Sequence, residues 1–354
     1  MIYTDSSFLS ETKIDSTFEE AASIKYAAIF NEFKRITRFY ALFHVLYLGA
    51  FLLELFAFLL FFSFFTKSSL LAFFLAGMLL TGFSYFVLLF YFQAKKPEQF
   101  LILRDHYLKI CRDSLCFEEG TSAYYLAIAN EAYHFASSLE LQEYNYYPVP
   151  KFLETLEPLM QKFSTWCHWK DVLKMKEMLL FASINQHIQL IKIDPSHIEA
   201  HASLATTYHH LSKFYIDPRK QYPELEHQWI PPAYFSEEMH EKFKSAAMRA
   251  IEEFKILQDY LSNDPWVHVQ LASLYHDLEM PAQEIQEYET LLKIVPHDKE
   301  VLFRLGILYF QQGHNARALR IYELLKKAKD TKAEELIAFY DAYLPQGYFF
   351  ESAE

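Results

Sequence analysis

The sequence predicts an all-α protein in which a two-span transmembrane helical hairpin is joined to an α-solenoid of short repeats. Three observations predict it. There are only 7 Gly against 34 Phe and 25 Tyr in 354 residues, a pair of closely spaced apolar runs lies near the N-terminus, and the C-terminal third superposes on itself at a shift of 34 residues. Glycine supplies the tight turns and phosphate-cradling loops of sheet-rich and nucleotide-binding folds. No GxGxxG, GxxxxGK[ST] or GxSxG pattern can be assembled.

The hairpin comes first. From Tyr40 to Phe65 nearly every residue is apolar, and after Thr66-Lys67-Ser68-Ser69 a second run extends from Leu70 to Phe92. A membrane-crossing helix needs about 20 such residues. A soluble helix of that length carries a polar face, which these lack. A cleavable signal peptide fits poorly, since 39 residues precede a run too long for a signal core. Lys34, Arg35 and Arg38 precede the first span, Lys95, Lys96 and Arg104 follow the second, and the loop holds only Lys67. The positive-inside tendency then predicts an integral membrane protein with both termini cytosolic.

Glu54 is out of place in the first span, where an ionised carboxylate costs roughly 2.5–3.5 kcal/mol on insertion scales. It is expected to be protonated or paired. Folding the hairpin about its loop sets Glu54 opposite Thr81, with Ser84 the next candidate and Gly77 and Gly82 flanking that level to let the helices approach. A Glu54–Thr81 clasp is the expectation; proton or ion handling, or pairing between protomers, is the alternative.

Residues 1–39 are predicted to be a tail and an amphipathic helix. Ser16-x-x-Glu19 has the form of a capping box, and Phe18, Ala22, Tyr26, Ile29, Phe33, Ile36 and Tyr40 recur at helical steps. This helix is expected to lie on the membrane and run into the first span, with the first dozen residues disordered. The hairpin occupies 40–93. A linker near Lys95–Glu98, marked by Pro97, is expected to separate it from a helical region over 97–197 and from repeats over 198–354.

The 34-residue shift places Leu271-Ala272-x-x-Tyr275 on Leu305-Gly306-x-x-Tyr309, Tyr288 on Tyr322 and Leu291 on Leu325. In period and pattern this resembles the tetratricopeptide repeat (TPR) family, W-x2-L-G-x2-Y with a later aromatic. Asp298–Asp330 matches it through Leu302, Leu305, Gly306, Tyr309, Gly313, Ala318 and Tyr322. Pro265–His297 is similar, with Ala272 in place of the glycine and Glu284 in place of the usual alanine. An earlier unit is split, Leu204-Ala205-x-x-Tyr208 lying in one helix and Ala250-x-x-x-Phe254-x-x-Leu257 in the next. About 33 extra residues near 212–244 separate them, expected to be a lid or a disordered elaboration. Helix pairs too small to be stable alone gain a continuous core by stacking, and the stripe of small and aromatic residues is assigned to that packing.

The resemblance implies a concave face that binds an extended peptide or partner helix through the first helix of each pair. Carried over by position, the face presents Glu199, Ala202, Ser203, Thr206 and His209, then Trp266, Val269, Gln270, Ser273 and His276, then Phe303, Arg304, Ile307, Phe310 and Gln311. Ala202 and Thr206 stand where carboxylate-gripping members have lysine and asparagine, which argues against capture of chaperone C-termini. The two Phe-rich spans are also similar to the bilobed hydrophobic domain of chlamydial inclusion-membrane proteins, which implies display of the repeats to a host cytosol.

No catalytic, metal or cofactor site is predicted. His197, His201, His209, His210, His268 and His276 gather on neighbouring helices, but no HExxH occurs, and His201 and His268 hold equivalent packing positions. Cys111, Cys116 and Cys167 form no disulfide or metal pattern and fit a reducing compartment. A net charge of −12 argues against nucleic acid as partner. The expected function is therefore a membrane-anchored scaffold or adaptor whose repeats bind protein. The alternative is a small transport or secretion component in which the hairpin and Glu54 do the work and the repeats regulate or assemble it.

Overall fold

A computed structural model of the chain describes residues 16–62, 70–115, 117–147, 149, 155–340 and 342–343. Among them secondary structure is helical, with no strand. The chain divides into two units.

The first unit holds the described residues of Thr12–Leu190 together with Asp217–Tyr234. Its frame is a pair of helices of 45 residues each, α1 (Ser16–Leu60) and α2 (Leu70–Ser114). At 1.5 Å per residue each is about 68 Å long, roughly twice the thickness of a hydrocarbon core. Both are long and apolar enough to cross a membrane. They run antiparallel, as the ring pairs Phe33–Phe100 (5.2 Å), Phe43–Tyr85 (5.7 Å) and Phe58–Phe74 (6.0 Å) show. Along one half Phe39, Leu42, Leu53, Phe73, Leu79 and Phe90 are exposed; along the other Ile29, Phe33, Phe100, Leu103 and Tyr107 are buried.

Two sequence expectations change here. The amphipathic stretch runs into the first span as part of α1, as expected, but its apolar stripe is buried within the protein at Ile29, Phe33 and Tyr40 and does not face a membrane surface. Likewise the break expected at Lys95–Glu98 is absent, because α2 continues through Pro97. Proline removes one i→i−4 bond, leaving the Gln93 carbonyl without its intrahelical donor. The helix is held on both sides of that gap. Tyr40 Oη donates to Gln99 Oε1 (2.7 Å), Lys96 Nζ meets Asp171 Oδ1 (2.6 Å), and Phe92 packs edge-on against Phe43 (4.8 Å). Pro97→Ala is expected to raise stability by about 2 kcal/mol, the cost of an interior proline less its restriction of the unfolded chain. Thermal melting of the full chain in detergent measures this.

Helix α3 (Ser122–Ser138) starts where Thr121 Oγ1 accepts from Tyr124 N (3.3 Å), and it buries Tyr124, Ile128, Ala129, Ala132, Phe135 and Ala136 at helical spacing. Phe135 meets Tyr26 of α1 (5.0 Å) and Tyr107 of α2 (4.6 Å), so α3 joins both long helices. Helix α4 (Glu157–Ile193) buries Val172, Met175, Leu179 and Leu180 alongside polar Asp171, Lys176 and His187. The segment Asp217–Tyr234, expected as a lid or as disorder, instead forms short 3-10 turns within this unit. Leu225 and Ile230 are buried against Tyr144, with Tyr222, Tyr234 and Leu141 around them. Tyr222 hydrogen-bonds Glu140, and Gln228 Nε2 donates to Gln161 Oε1 (2.7 Å).

The second unit comprises Ile191–Ile216 and the described residues from Phe235 onward. Its helices are α5 (Ile198–Lys213), α6 (Glu237–Tyr260), α7 (Pro265–Asp277), α8 (Pro281–Ile294), α9 (Lys299–Gln311), α10 (Asn315–Lys327) and α11 (Lys332–Ile337). Each packs on the next. Caps recur with the sequence period. Asp264 accepts from Trp266 N (2.9 Å), and Asp298 accepts from Glu300 N (2.9 Å) and Val301 N (3.1 Å). At the ends of α7 and α9 the bonds Met280 N to Tyr275 O and His314 N to Tyr309 O are both 2.8 Å, the long bond of a Schellman cap. That cap needs a left-handed residue, supplied by Gly313 (φ 74°) in one repeat and by Glu279 (φ 56°) in the other. At the C-terminal end a Cβ on Gly306 would stand 2.7 Å from Leu336 Cδ2, so glycine lets fully buried Leu336 of α11 seat against α9.

Candidate functional site

The structure brings Glu54 and Thr81 together: Thr81 Oγ1 donates to Glu54 Oε1 at 2.8 Å. Ser84, the second candidate, bonds instead to the Thr81 carbonyl of its own helix (3.0 Å). Glu54 Oε2 is buried without a hydrogen-bond partner. Gly77 and Gly82 do not create the approach between the helices, because a Cβ at either would meet nothing within 4 Å. Stacked aromatic rings set the spacing instead, Phe58 on Phe74 below and Phe43 on Tyr85 above.

On the repeats, the residues carried over from the family pattern divide by exposure: Ser203 and His209 are buried, and Glu199, Ala202 and Thr206 half-buried. His276, Arg304 and Gln311 are exposed, while Trp266, Val269, Gln270, Ser273, Phe303 and Ile307 are half-buried. Phe310 is different: it is 2% exposed and meets Tyr340 edge-on at 5.9 Å. The residues after α10 cover it, so it belongs to the terminal core and not to an open face. Trp266 packs on Phe254 (5.5 Å) and Phe303 lies under Lys332 (5.6 Å). Gln270 Oε1 is 3.2 Å from Nδ1 of buried His209 in the preceding pair.

The gathered histidines are engaged within the packing. His201 places Nδ1 2.6 Å from Glu253 and Nε2 3.1 Å from the Pro195 carbonyl. His268 repeats this with Glu287 (2.7 Å) and the Ser262 carbonyl (3.2 Å). In both, one ring ties the helix start behind it to the second helix of its pair. The Glu287 hydrogen bond holds the His268 pKa above its usual value against the opposing effect of burial, and Glu284 does the same for His276. Burial pushes His209 down to about 3. Among the described residues no three His, Cys, Asp or Glu side chains form a group able to hold a metal.

A polar cluster that sequence reading missed lies in the first unit, where the long helices meet α4. Tyr146, fully buried, stacks on His168 (4.1 Å), takes Ser164 Oγ as acceptor for its backbone N–H (3.1 Å), and shares its hydroxyl with Thr37 (3.3 Å). Tyr147 Oη meets His168 Nε2 at 2.8 Å. Deeper in, Lys176 Nζ and Glu143 Oε1 stand 3.6 Å apart, both almost fully buried. Burial, reinforced by Lys96 and Arg38, lowers His168 to about 4, while burial raises Asp171 despite its bond to Lys96. Burial pushes the Cys167 thiol up to about 11, which favours its protonated form at neutral pH. In sequence these groups look like the solvated face of an amphipathic helix; only the tertiary contacts show that both faces of α4 are covered. No protein-family model and no curated protein matches the chain.

Proposed function

We propose that the chain is an integral membrane scaffold or adaptor: α1 and α2 cross the bilayer as a hairpin with both termini cytosolic, and TPR-like repeats recruit a protein or peptide partner. The observation that carries this reading is the division of α1 and α2 into an exposed apolar half and a buried half. Exposed rings and leucines run continuously over both helices from Phe39 to Phe62 and from Phe73 to Tyr91, a surface that water does not tolerate on a stable monomer. The second unit supports the recruiting role by leaving His276, Arg304 and Gln311 exposed and Trp266, Phe303 and Ile307 half-buried at the positions that the repeat pattern assigns to one face. The Thr81 bond to Glu54 favours a clasp between spans over an ion pathway.

Two measurements test the proposal. Alkaline extraction should leave the full chain in the membrane fraction. Proximity labelling with the full chain in its native cell should mark a partner that Trp266→Ala, Arg304→Ala, Ile307→Glu loses while Glu54→Gln keeps it. Extraction into the soluble fraction, or labelling that depends on Glu54 and not on the repeat surface, would sink it.

A further inference from the structure

The cations that flank the exposed apolar surface are not equivalent. Arg35 is 3.8 Å from Glu32, Lys95 is 2.9 Å from Glu98, Lys96 is 2.6 Å from Asp171 and Arg104 is 2.7 Å from Asp105. Among the described residues Lys34 and Arg38 make no such pair. They lie four residues apart on one face of α1, a spacing at which like charges repel, and the Lys34 pKa is lowered by burial and by Arg38. Aromatic rings hold them there. Lys34 Nζ sits over Phe30 (4.2 Å) and Tyr146 (5.6 Å), and Arg38 lies over Tyr147 (5.9 Å). One Arg38 Nη2 donates to the Tyr146 carbonyl (2.7 Å), which fixes the guanidinium and leaves the rest of its fork free. Two cations are thus positioned together, in a chain of net charge −12, with no carboxylate among the described residues paired to them.

Their level on the helix identifies the missing anion. Arg38 directly precedes Phe39, 58% exposed, where the lipid-facing surface begins, and Lys34 is one turn, about 6 Å, above it. That is headgroup depth. The geometry points to a phosphate site on Lys34 and Arg38 that takes the headgroup of an anionic phospholipid, with Tyr147 on its flank. Arg offers a planar fork to two phosphate oxygens and Lys a point charge to the third. The inference rests on the membrane-anchored reading, because that reading puts lipid phosphate beside the pair.

Binding of phosphatidic acid, phosphatidylcholine and inorganic phosphate to the detergent-solubilised full chain, followed by native mass spectrometry and thermal shift, tests it. Each cation near a membrane surface contributes about a fivefold preference for anionic lipid, so the pair gives roughly 30-fold. Phosphatidic acid should bind about that much better than phosphatidylcholine. Lys34→Gln, Arg38→Gln should lose the difference, and Lys34→Arg, Arg38→Lys should keep most of it. Arg38→Gln alone, at an exposed side chain, should lose about fivefold and serves if the double variant misfolds. Equal binding of phosphatidic acid by wild type and variants overturns the site. Inorganic phosphate binding as tightly as the lipid, and lost in the same variants, overturns the lipid and leaves a soluble phosphate as ligand. Alkaline extraction judges the anchoring separately: a chain released from membranes that still prefers phosphatidic acid in detergent refutes the anchor and not the site.

Discussion

Lys176→Met is expected to destabilise the first unit by about 3–5 kcal/mol, the usual cost of stranding one partner of a buried ion pair. Lys176 Nζ lies 3.6 Å from Glu143 Oε1, and each side chain is only 7% exposed. Glu143 has little else: its Oε2 is buried with no hydrogen-bond partner. Methionine fills the same length of α4, so the loss isolates charge from packing. A second change separates the two further. Glu143→Leu with Lys176→Met removes both charges, and replacement of a buried pair by apolar groups of similar volume is often neutral or stabilising. The double variant should therefore recover most of what the single one loses. Guanidinium denaturation of the detergent-solubilised full chain reads both. A single-variant loss under about 1 kcal/mol, or a double variant no better than the single, would show that the pair is solvated in the folded protein.

What the sequence disclosed was what depends on local period and chain geometry. The repeat shift reappears in the backbone as matched caps, Asp264 with Asp298 and Glu279 with Gly313. Glu54 and Thr81 could be set opposite one another because an antiparallel hairpin fixes register by counting from its loop. Local rules failed where tertiary contacts override them. Pro97 reads as a break, yet Tyr40, Phe43 and Asp171, distant in sequence, hold α2 across it. Asp217–Tyr234 interrupts the repeats in sequence, and no local signal says that Leu225 and Ile230 bury against Tyr144. Phe310 fits the pattern of an open-face residue; Tyr340, thirty residues later, covers it. Two expectations, the capping box at Ser16 and the disorder of the first dozen residues, involve side chains and positions outside the described residues, as do Cys116 and the loop between the spans.

The second large effect concerns His268, and it has a sign in pH. Glu287 Oε2 lies 2.7 Å from Nδ1 and the Ser262 carbonyl 3.2 Å from Nε2, so both ring nitrogens face acceptors and both are satisfied only when the imidazole carries two protons. Gln258 Nε2, 3.4 Å from both Nδ1 and Glu287, completes the surroundings, and the charge of Asp264 acts in the same direction as Glu287. The folded pKa is thereby raised above the unfolded value of about 6.5. A histidine raised in this way contributes stability that is fully present below about pH 6.5 and lost as pH rises through the folded pKa, at most about 1.4 kcal/mol per pH unit for one proton. His276 is raised as well, but its ring is mostly exposed and solvent screening leaves it a small part. His268→Leu should remove this step from the pH profile. It should also lower stability, by about 3 kcal/mol below pH 6.5 and by less above the folded pKa, because buried Glu287 keeps only the long contact to Gln258. Denaturation midpoints of the two proteins from pH 5.5 to 8.5 decide the matter. Parallel curves would mean that the His268–Glu287 pair binds no more protons in the folded repeats than in the unfolded chain, so that folding does not raise the histidine.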